Sequence, residues 1–137
     1  MKKQLVSSIG ALLFSGLVSA EIAVVVHPSN AAALDKDSIT RIFLGKSRAF
    51  PGGGEAIPVA FKESTKESDE FAQSVLNKTP KQLKAYWAKM IFTGKGTPPK
   101  QLDSSAQIID LVSKNPNFIG FVPSGSESGA VKVVGKF

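Results

Sequence analysis

The polar run FKESTKESDEF, residues 61–71, holds the hydroxyl and carboxylate side chains best placed to bind a small ligand. Ser64 and Thr65 can donate hydrogen bonds at the start of a predicted helix, where unpaired N–H groups and the helix dipole favour an anion. Glu63 would repel an anion, although its carboxylate can accept a hydrogen bond from a ligand that carries a proton. From these residues alone, an anion site and an ordinary capped helix start are equally supported.

A second polar run, HPSN at residues 27–30, follows the first predicted strand. In parallel α/β sheets, ligands lie beyond the carboxyl ends of the strands, so Ser29 and Asn30 are candidates for side-chain contacts to the same ligand. The formation of a turn explains the presence of Ser29 and Asn30 equally well.

The residue types needed for catalysis or metal binding are scarce. The chain has no cysteine and a single histidine, His27, so thiol chemistry is excluded and no histidine cluster can hold a metal. No serine is accompanied by a recognisable base and orienting partner. We therefore predict a protein that is not an enzyme and that uses neither a metal nor a cofactor.

The first 20 residues have the layout of a secretory signal peptide. A basic start, MKK, precedes the short apolar run LVSSIGALLFSGL and the small residues VSA, which predicts cleavage after Ala20 and a periplasmic protein. The apolar run is too short and too rich in Ser and Gly for a membrane-spanning helix. The mature domain would then comprise residues 21–137, enough for one apolar core without disulfides.

The charge of the mature chain is mildly positive. Without Lys2 and Lys3 it keeps 15 of the 17 basic side chains against 11 acidic ones, a formal charge of +4. This charge would help to attract a small anion. The lysines are scattered along the sequence, which argues against a nucleic-acid partner.

The pattern of apolar residues predicts an α/β fold. Apolar runs of strand length occur at residues 21–26, 57–61, 118–122 and 131–134. Four helices are predicted from apolar residues at helical spacing and from N-caps at Asp35 or Asp37, Ser64, Thr79 and Ser104, the last three with capping-box partners at Glu67, Gln82 and Gln107. The resulting order, β-α-β-α-α-α-β-β, indicates a mostly parallel sheet flanked by helices.

Three segments resemble a known family. SITRIFLGKSRAFPGGGEAIPV and NPNFIGFV look like segments of the phosphate-binding proteins of ABC transporters, and LKAYWAKMIFTGKGTPPK is similar to short, single-lobe relatives of that family. The resemblance covers nearly all of residues 21–137. It implies the fold of a type 2 periplasmic binding protein, of which this chain has the length of a single lobe.

The resemblance also implies roles for the polar run at residues 61–71. The family's anion loop typically reads Arg-x-Asp-Gly-Ser-Gly-Thr, and an alignment on Phe71 places Glu63 at the Asp, Ser64 at the first Gly and Thr65 at the Ser. The remaining positions differ in type, with Phe61 at the Arg, Lys66 at the second Gly and Glu67 at the Thr. Because the arginine fork is a main source of phosphate affinity, its replacement predicts weaker binding.

The sequence thus predicts an exported solute-binding module for phosphate or a similar oxyanion, working with the permease of an ABC-type uptake system. The predicted ligand contacts are Ser29, Asn30, Glu63, Ser64 and Thr65. A single lobe buries little of a ligand, so weak affinity or a homodimer that completes the cleft is expected. The alternative is a periplasmic protein-interaction or sensing module that has kept the fold and lost the ligand.

Overall fold

The computed structural model describes residues 21–137, and the predicted signal peptide lies outside them. Five strands and four helices follow one another along the chain: β1 Ile22–Val26, α1 Lys36–Phe43, β2 Ile57–Phe61, α2 Lys66–Ser74, α3 Pro80–Phe92, β3 Lys100–Leu102, α4 Ser105–Lys114, β4 Phe118–Pro123 and β5 Lys132–Lys136. The four predicted strands and four predicted helices are confirmed. Strand β3 was missed, since three residues after two prolines carry no strand pattern.

The five strands form one mixed sheet in the order β3-β2-β4-β1-β5. Strand β2 runs parallel to β3 and β4, whereas β1 runs antiparallel to both β4 and β5. The α/β single-lobe architecture is confirmed, but half of the four strand pairings are antiparallel, so the sheet is less parallel than predicted. The order of elements along the sequence does not show this, because the long loop after β1 allows β1 to run parallel or antiparallel to its neighbours.

One face of the sheet is covered by α1 and α2 through stacked aromatic rings. The ring of Phe71 in α2 lies parallel to that of Phe121 in β4, with 3.8 Å between the centroids, and Phe43 in α1 meets Phe71 edge-on at 4.7 Å. All three side chains are buried. Aromatic pairs of this kind add about 0.5–1.5 kcal/mol to the stabilisation from burial alone.

The opposite face of the sheet is covered by α4. Gly120 in β4 lies directly under this helix, since a Cβ atom built on it would be 2.6 Å from Ile108 Cγ2 and 3.4 Å from Val112 Cγ2. The absence of a side chain at Gly120 therefore sets how closely α4 approaches the sheet.

Helix α3 packs outside α2 and buries only Trp87 among its residues. The Trp87 ring lies 3.5 Å from the Cβ position of Gly45, and the hydroxyl of Tyr86 donates a 2.6 Å hydrogen bond to the carbonyl of Leu44. Most of the surface of α3 consequently faces outward. None of the helices in the described part of the chain combines the length and the apolar character needed to span a membrane.

The N-caps explain where most helices begin. Thr79 and Gln82 form the predicted capping box of α3, with Pro80 in its first turn. Asp35, rather than Asp37, caps α1, and the hydrogen bonds that Asp35 accepts from Ser38 hold the pKa of its carboxyl below the ordinary value.

Replacement of Gly120 by alanine should destabilise the fold. The new methyl group would overlap Ile108 and would come within 3.1 Å of Val59, so α4 or β2 must shift. We expect a loss of about 1–3 kcal/mol in the free energy of unfolding, the range typical of an overpacked core. Urea titration of residues 21–137 measures this loss.

Gly129→Ala is the matched control, because nothing lies within 4 Å of the Cβ position of Gly129. A Gly120→Ala variant as stable as Gly129→Ala would contradict the tight packing of α4 on the sheet.

Candidate functional site

The structure separates the two predicted groups of ligand contacts. Because β1 and β2 point in opposite directions, their carboxyl ends lie at opposite edges of the sheet: Val26 is paired with Ile119 at the start of β4, beside the start of β2. Ser29 and Asn30 therefore follow β1 at one edge, and residues 63–65 follow β2 at the other. A strand of this length spans roughly 15 Å, too far for both groups to bind one small ion.

Ser29 and Asn30 form turns within their own loop. The Ser29 hydroxyl lies 2.7 Å from Nδ1 of His27, which also accepts the Ser29 backbone N–H, and Oδ1 of Asn30 accepts the N–H of Ala32 at 2.9 Å. Lys132 at the start of β5 donates to the carbonyl of Asn30. These hydrogen bonds correspond to the turn interpretation of the HPSN run.

The loop after β2 turns tightly before α2 begins. The backbone N–H of Thr65 reaches the carbonyl of Lys62 at 3.4 Å, and Ser64 has a φ of 65°, in the left-handed region. In the family alignment Ser64 occupies the position of the first Gly, and glycine adopts this conformation without a steric cost. The structure thus gives a physical reason for glycine at that position, and this chain carries a serine there.

The prediction that Ser64 caps α2 together with Glu67 is wrong, and the N-cap is Thr65. Its Oγ1 accepts the N–H of Ser68 at 3.2 Å and donates to the carbonyl of Lys62 at 2.8 Å. A left-handed Ser64 closes the turn, and the extended backbone of Thr65 then presents its hydroxyl to the helix. The hydroxyl proton of Thr65 is thus directed at the carbonyl of Lys62, and donation to a ligand, as predicted for Thr65, would require this hydrogen bond to break.

Backbone N–H groups remain available at this helix start. The N–H groups of Ser64, Lys66 and Glu67 make no hydrogen bond within residues 21–137. Helix N-termini of this kind carry a partial positive charge and bind anions through such groups. Any anion held here would be held mainly by the backbone.

A second helix start lies beside the first. Strand β3 runs parallel to β2, so α4 begins at the same edge of the sheet as α2, with Ser104 as its N-cap. The carboxylate of Asp103 forms an ion pair with Lys62, and the Lys62 N–H donates to the carbonyl of Leu102 at 3.1 Å. Sequence reasoning missed this part of the edge, because α4 was not preceded by a recognised strand.

The loop after β4, residues 124–130, lies at the same edge. The Ser124 N–H donates to the carbonyl of Glu21 at 2.8 Å, and Glu127 pairs with Lys136 of β5. Hydrogen bonds from the backbone N–H groups of Glu127 and Gly125, together with the nearby Lys136, lower the pKa of the Glu127 carboxyl. Glu127 is thus a fixed negative charge at neutral pH.

Three of the positive side chains at this edge are paired with carboxylates. The ammonium of Lys62 contacts Asp103, that of Lys66 lies 3.7 Å from Glu70, and that of Lys136 lies 3.7 Å from Glu127. These pairs are largely exposed, so each contributes little to stability, but each reduces the local positive potential.

Phe61, which the resemblance aligns with an arginine, has its side chain in the core. It is 4% exposed, with its ring centroid 5.5 Å from that of Phe121. The arginine of the family pattern therefore has no substitute at this position, because a buried phenyl ring cannot bind an anion.

A cavity of about 400 Å³ opens next to the loop after β2, between α2 and α3. Its polar lining consists of Glu63, Ser64, Ser68, Asp69, Lys81, Lys84 and Gln101, and most of its wall is apolar, with Phe61, Phe71, Leu83, Trp87 and Pro99. Apolar walls suit an apolar group rather than an oxyanion. The adjacent starts of α2 and α4 are therefore the better candidate for an anion site.

Three solved structures have a fold similar to that of this chain. An ABC-type phosphate transport receptor from Vibrio cholerae matches 85% of this chain and 46% of its own, with 17% identity and a TM-score of 0.57. A Clostridium perfringens protein, described as a phosphate ABC transporter substrate-binding protein and solved with bound phosphate, matches 85% of this chain and 45% of its own, with 23% identity and a TM-score of 0.66. PstS from Borrelia burgdorferi matches 77% and 42%, with 14% identity and a TM-score of 0.55.

The likeness confirms the predicted fold, an α/β fold that matches a single lobe of these proteins. The chain spans less than half the length of each of these three proteins. No protein-family model and no curated protein matches the sequence. At these identities the comparison shows the fold, and the ligand has to be argued from the site.

Replacement of Ser64 by glycine should stabilise the protein. A left-handed serine costs about 1–2 kcal/mol, and the greater freedom of glycine in the unfolded chain offsets part of the relief. We expect a gain of roughly 0.5–1 kcal/mol in the free energy of unfolding, measured by urea titration. A Ser64→Ala variant should show no gain, and a Ser64→Gly variant less stable than the parent would contradict the left-handed turn.

Replacement of Thr65 by alanine should weaken α2 by removing its cap. The expected loss in the free energy of unfolding is about 1 kcal/mol. Thr65→Ser retains the hydroxyl and should recover most of that loss. Equal stability of the alanine and serine variants would show that Oγ1 does not cap the helix.

Proposed function

We propose that the chain is an exported solute-binding module that holds phosphate or a similar oxyanion at the adjacent starts of α2 and α4. The observation that carries the proposal is the presence of two helix N-termini at one edge of the sheet, joined by the Lys62–Asp103 pair. Two helix dipoles then act on the same region, and unpaired N–H groups of α2 face solvent there.

The contacts follow from the geometry of the loop after β2. The backbone N–H groups of Ser64, Lys66 and Glu67 would donate to the oxyanion, and the exposed Ser64 hydroxyl would add a side-chain donor. Glu63 would accept the hydrogen bond of a protonated phosphate oxygen. Sulfate carries no proton at neutral pH, so Glu63 would favour phosphate over sulfate.

The affinity of this site should be modest. The family's arginine is absent, and the lysines at the edge are paired with carboxylates. One lobe leaves much of the ligand in water, so a homodimer or another partner that covers the edge would strengthen binding.

The wider role proposed is that of a receptor for an ABC transporter permease outside the cytoplasm. Its support is the fold shared with transport receptors and the predicted signal peptide. Binding is proposed rather than catalysis because these structural neighbours are described as transport receptors and substrate-binding proteins.

Replacement of Asp103 by asparagine should strengthen phosphate binding. The change removes a carboxylate from the edge and releases the ammonium of Lys62. For an exposed pair we expect an effect of up to about 1 kcal/mol, a gain of roughly threefold to fivefold in affinity. Isothermal titration of residues 21–137 with phosphate at low salt, after removal of carried-over anion, measures it.

Asp110→Asn is the matched control. It makes the same charge change and releases Lys114, but Asp110 lies farther along α4, beyond its first turn. The control should bind phosphate as the parent does. If neither the parent nor Asp103→Asn binds phosphate at millimolar concentration, the anion site is disproved and the alternative, a fold that has lost its ligand, gains support.

A further inference from the structure

The positive charge of the chain is concentrated on the segment around α3. Residues 71–102 contain no acidic residue and six lysines, which lie at positions 78, 81, 84, 89, 95 and 100. The rest of residues 21–137 then holds nine basic side chains against 11 acidic ones. Many of the lysines are therefore gathered in one region rather than scattered. The edge of the sheet at which α2 and α4 begin, called the ligand edge below, carries little of the net charge.

The outward face of α3 is basic and ends in an apolar tip. Lys81, Ala85, Ala88 and Phe92 follow one another every three or four residues and are all exposed, on the side of the helix away from Trp87. Lysines at positions 84 and 89 flank this row. No lysine between residues 78 and 95 forms an ion pair within residues 21–137.

The C-terminal tip of α3, residues 91 and 92, is exposed. Phe92 is 92% exposed and Ile91 is 56% exposed, and they are the exposed large hydrophobic residues of the described chain. The N–H of Gly94 donates to the carbonyl of Ile91 at 3.1 Å, and α3 ends at this turn. These two adjacent apolar side chains and the neighbouring lysines together offer an apolar and a basic contact to a partner.

The tip points away from the candidate anion site. The first turns of α3 line the cavity next to Ser64, whereas Gly96 and Thr97, which follow the helix, line a second cavity with Ile57 at the start of β2. Phe92 thus lies toward the edge of the sheet opposite to the ligand edge. A partner that covers the tip would leave the ligand edge accessible.

We infer that the outward face of α3 docks on an anionic lipid surface, with Phe92 and Ile91 at the boundary between headgroups and acyl chains. Lys89 and Lys95, which lie toward the tip, would lie among the headgroup phosphates. Basic residues beside an exposed aromatic side chain are the signature of interfacial helices. Protein interfaces are instead depleted of lysine and enriched in arginine, and the 71–102 segment has no arginine.

Vesicle binding of residues 21–137 tests this inference. The described residues contain all the strands, helices and core contacts of the fold, so they can be purified as one unit. The vesicles contain about one third phosphatidylglycerol in phosphatidylcholine, and vesicles of phosphatidylcholine alone are the lipid control. Co-sedimentation should show binding to the anionic vesicles only, and binding should weaken as salt is added.

Two variants localise the contact on α3. Phe92→Ser should reduce the apparent affinity for anionic vesicles about tenfold, because it removes the side chain that enters the interface. The double neutralisation Lys89→Gln with Lys95→Gln should reduce it by about tenfold as well. The matched control, Lys36→Gln with Lys114→Gln, removes the same charge from α1 and α4 and should have little effect.

The possible outcomes separate this inference from the proposed anion site. Phosphate titration of the α3 variants should match that of the parent, so failure of one proposal leaves the other standing. No binding to the anionic vesicles at low salt, or an equal loss in the control variant, would overturn the inference. A cross-linker at position 92 that captures a protein without any lipid binding would also overturn it, in favour of a protein partner.

Discussion

The arrangement of the fold depends on β1, the strand that lies between β4 and β5. All five residues of β1 are fully buried, and β1 is hydrogen-bonded to β4 on one side and to β5 on the other. Every other strand is therefore positioned directly or indirectly against it. Its antiparallel direction sends the HPSN loop to one edge of the sheet, while β2, β3 and β4 send their loops to the other. A single strand direction thus decides which polar side chains can share a ligand.

At the ligand edge, the demands of the core limit the chemistry of the site. Phe61 contributes to the aromatic cluster on Phe121, and the same position cannot also supply a cationic fork to solvent. Thr65 uses its hydroxyl to cap α2. What remains for an anion is the backbone of the two helix starts, which is consistent with modest affinity and with limited dependence on any one side chain.

The sequence predicted the structural features that are determined by local residues. It did not predict the features that are set by long-range strand pairing or by the backbone geometry of a turn. The capping box of α3 and the buried strands β1 and β2 were read correctly, because periodicity and caps are local signals. The N-cap of α2 was misplaced by one residue, since nothing in the amino-acid sequence shows that the backbone of Ser64 is in the left-handed region. Ser29 and Asn30 lie at the other edge of the sheet from residues 63–65 because strand pairing, rather than sequence order, sets the direction of β1.

The distribution of charge gives the two surfaces different physical roles. The formal charge of +4 suggests an anion-binding protein, yet the lysines at the starts of α2 and α4 are paired with carboxylates and the unpaired lysines gather along α3. Interactions between exposed charges fall off over about 10 Å at moderate salt, so lysines at the far end of α3 contribute little to an ion held at the ligand edge. Their effect is instead on whatever approaches α3 itself. The net charge therefore says more about how this chain would orient on a charged surface than about which ligand it would bind.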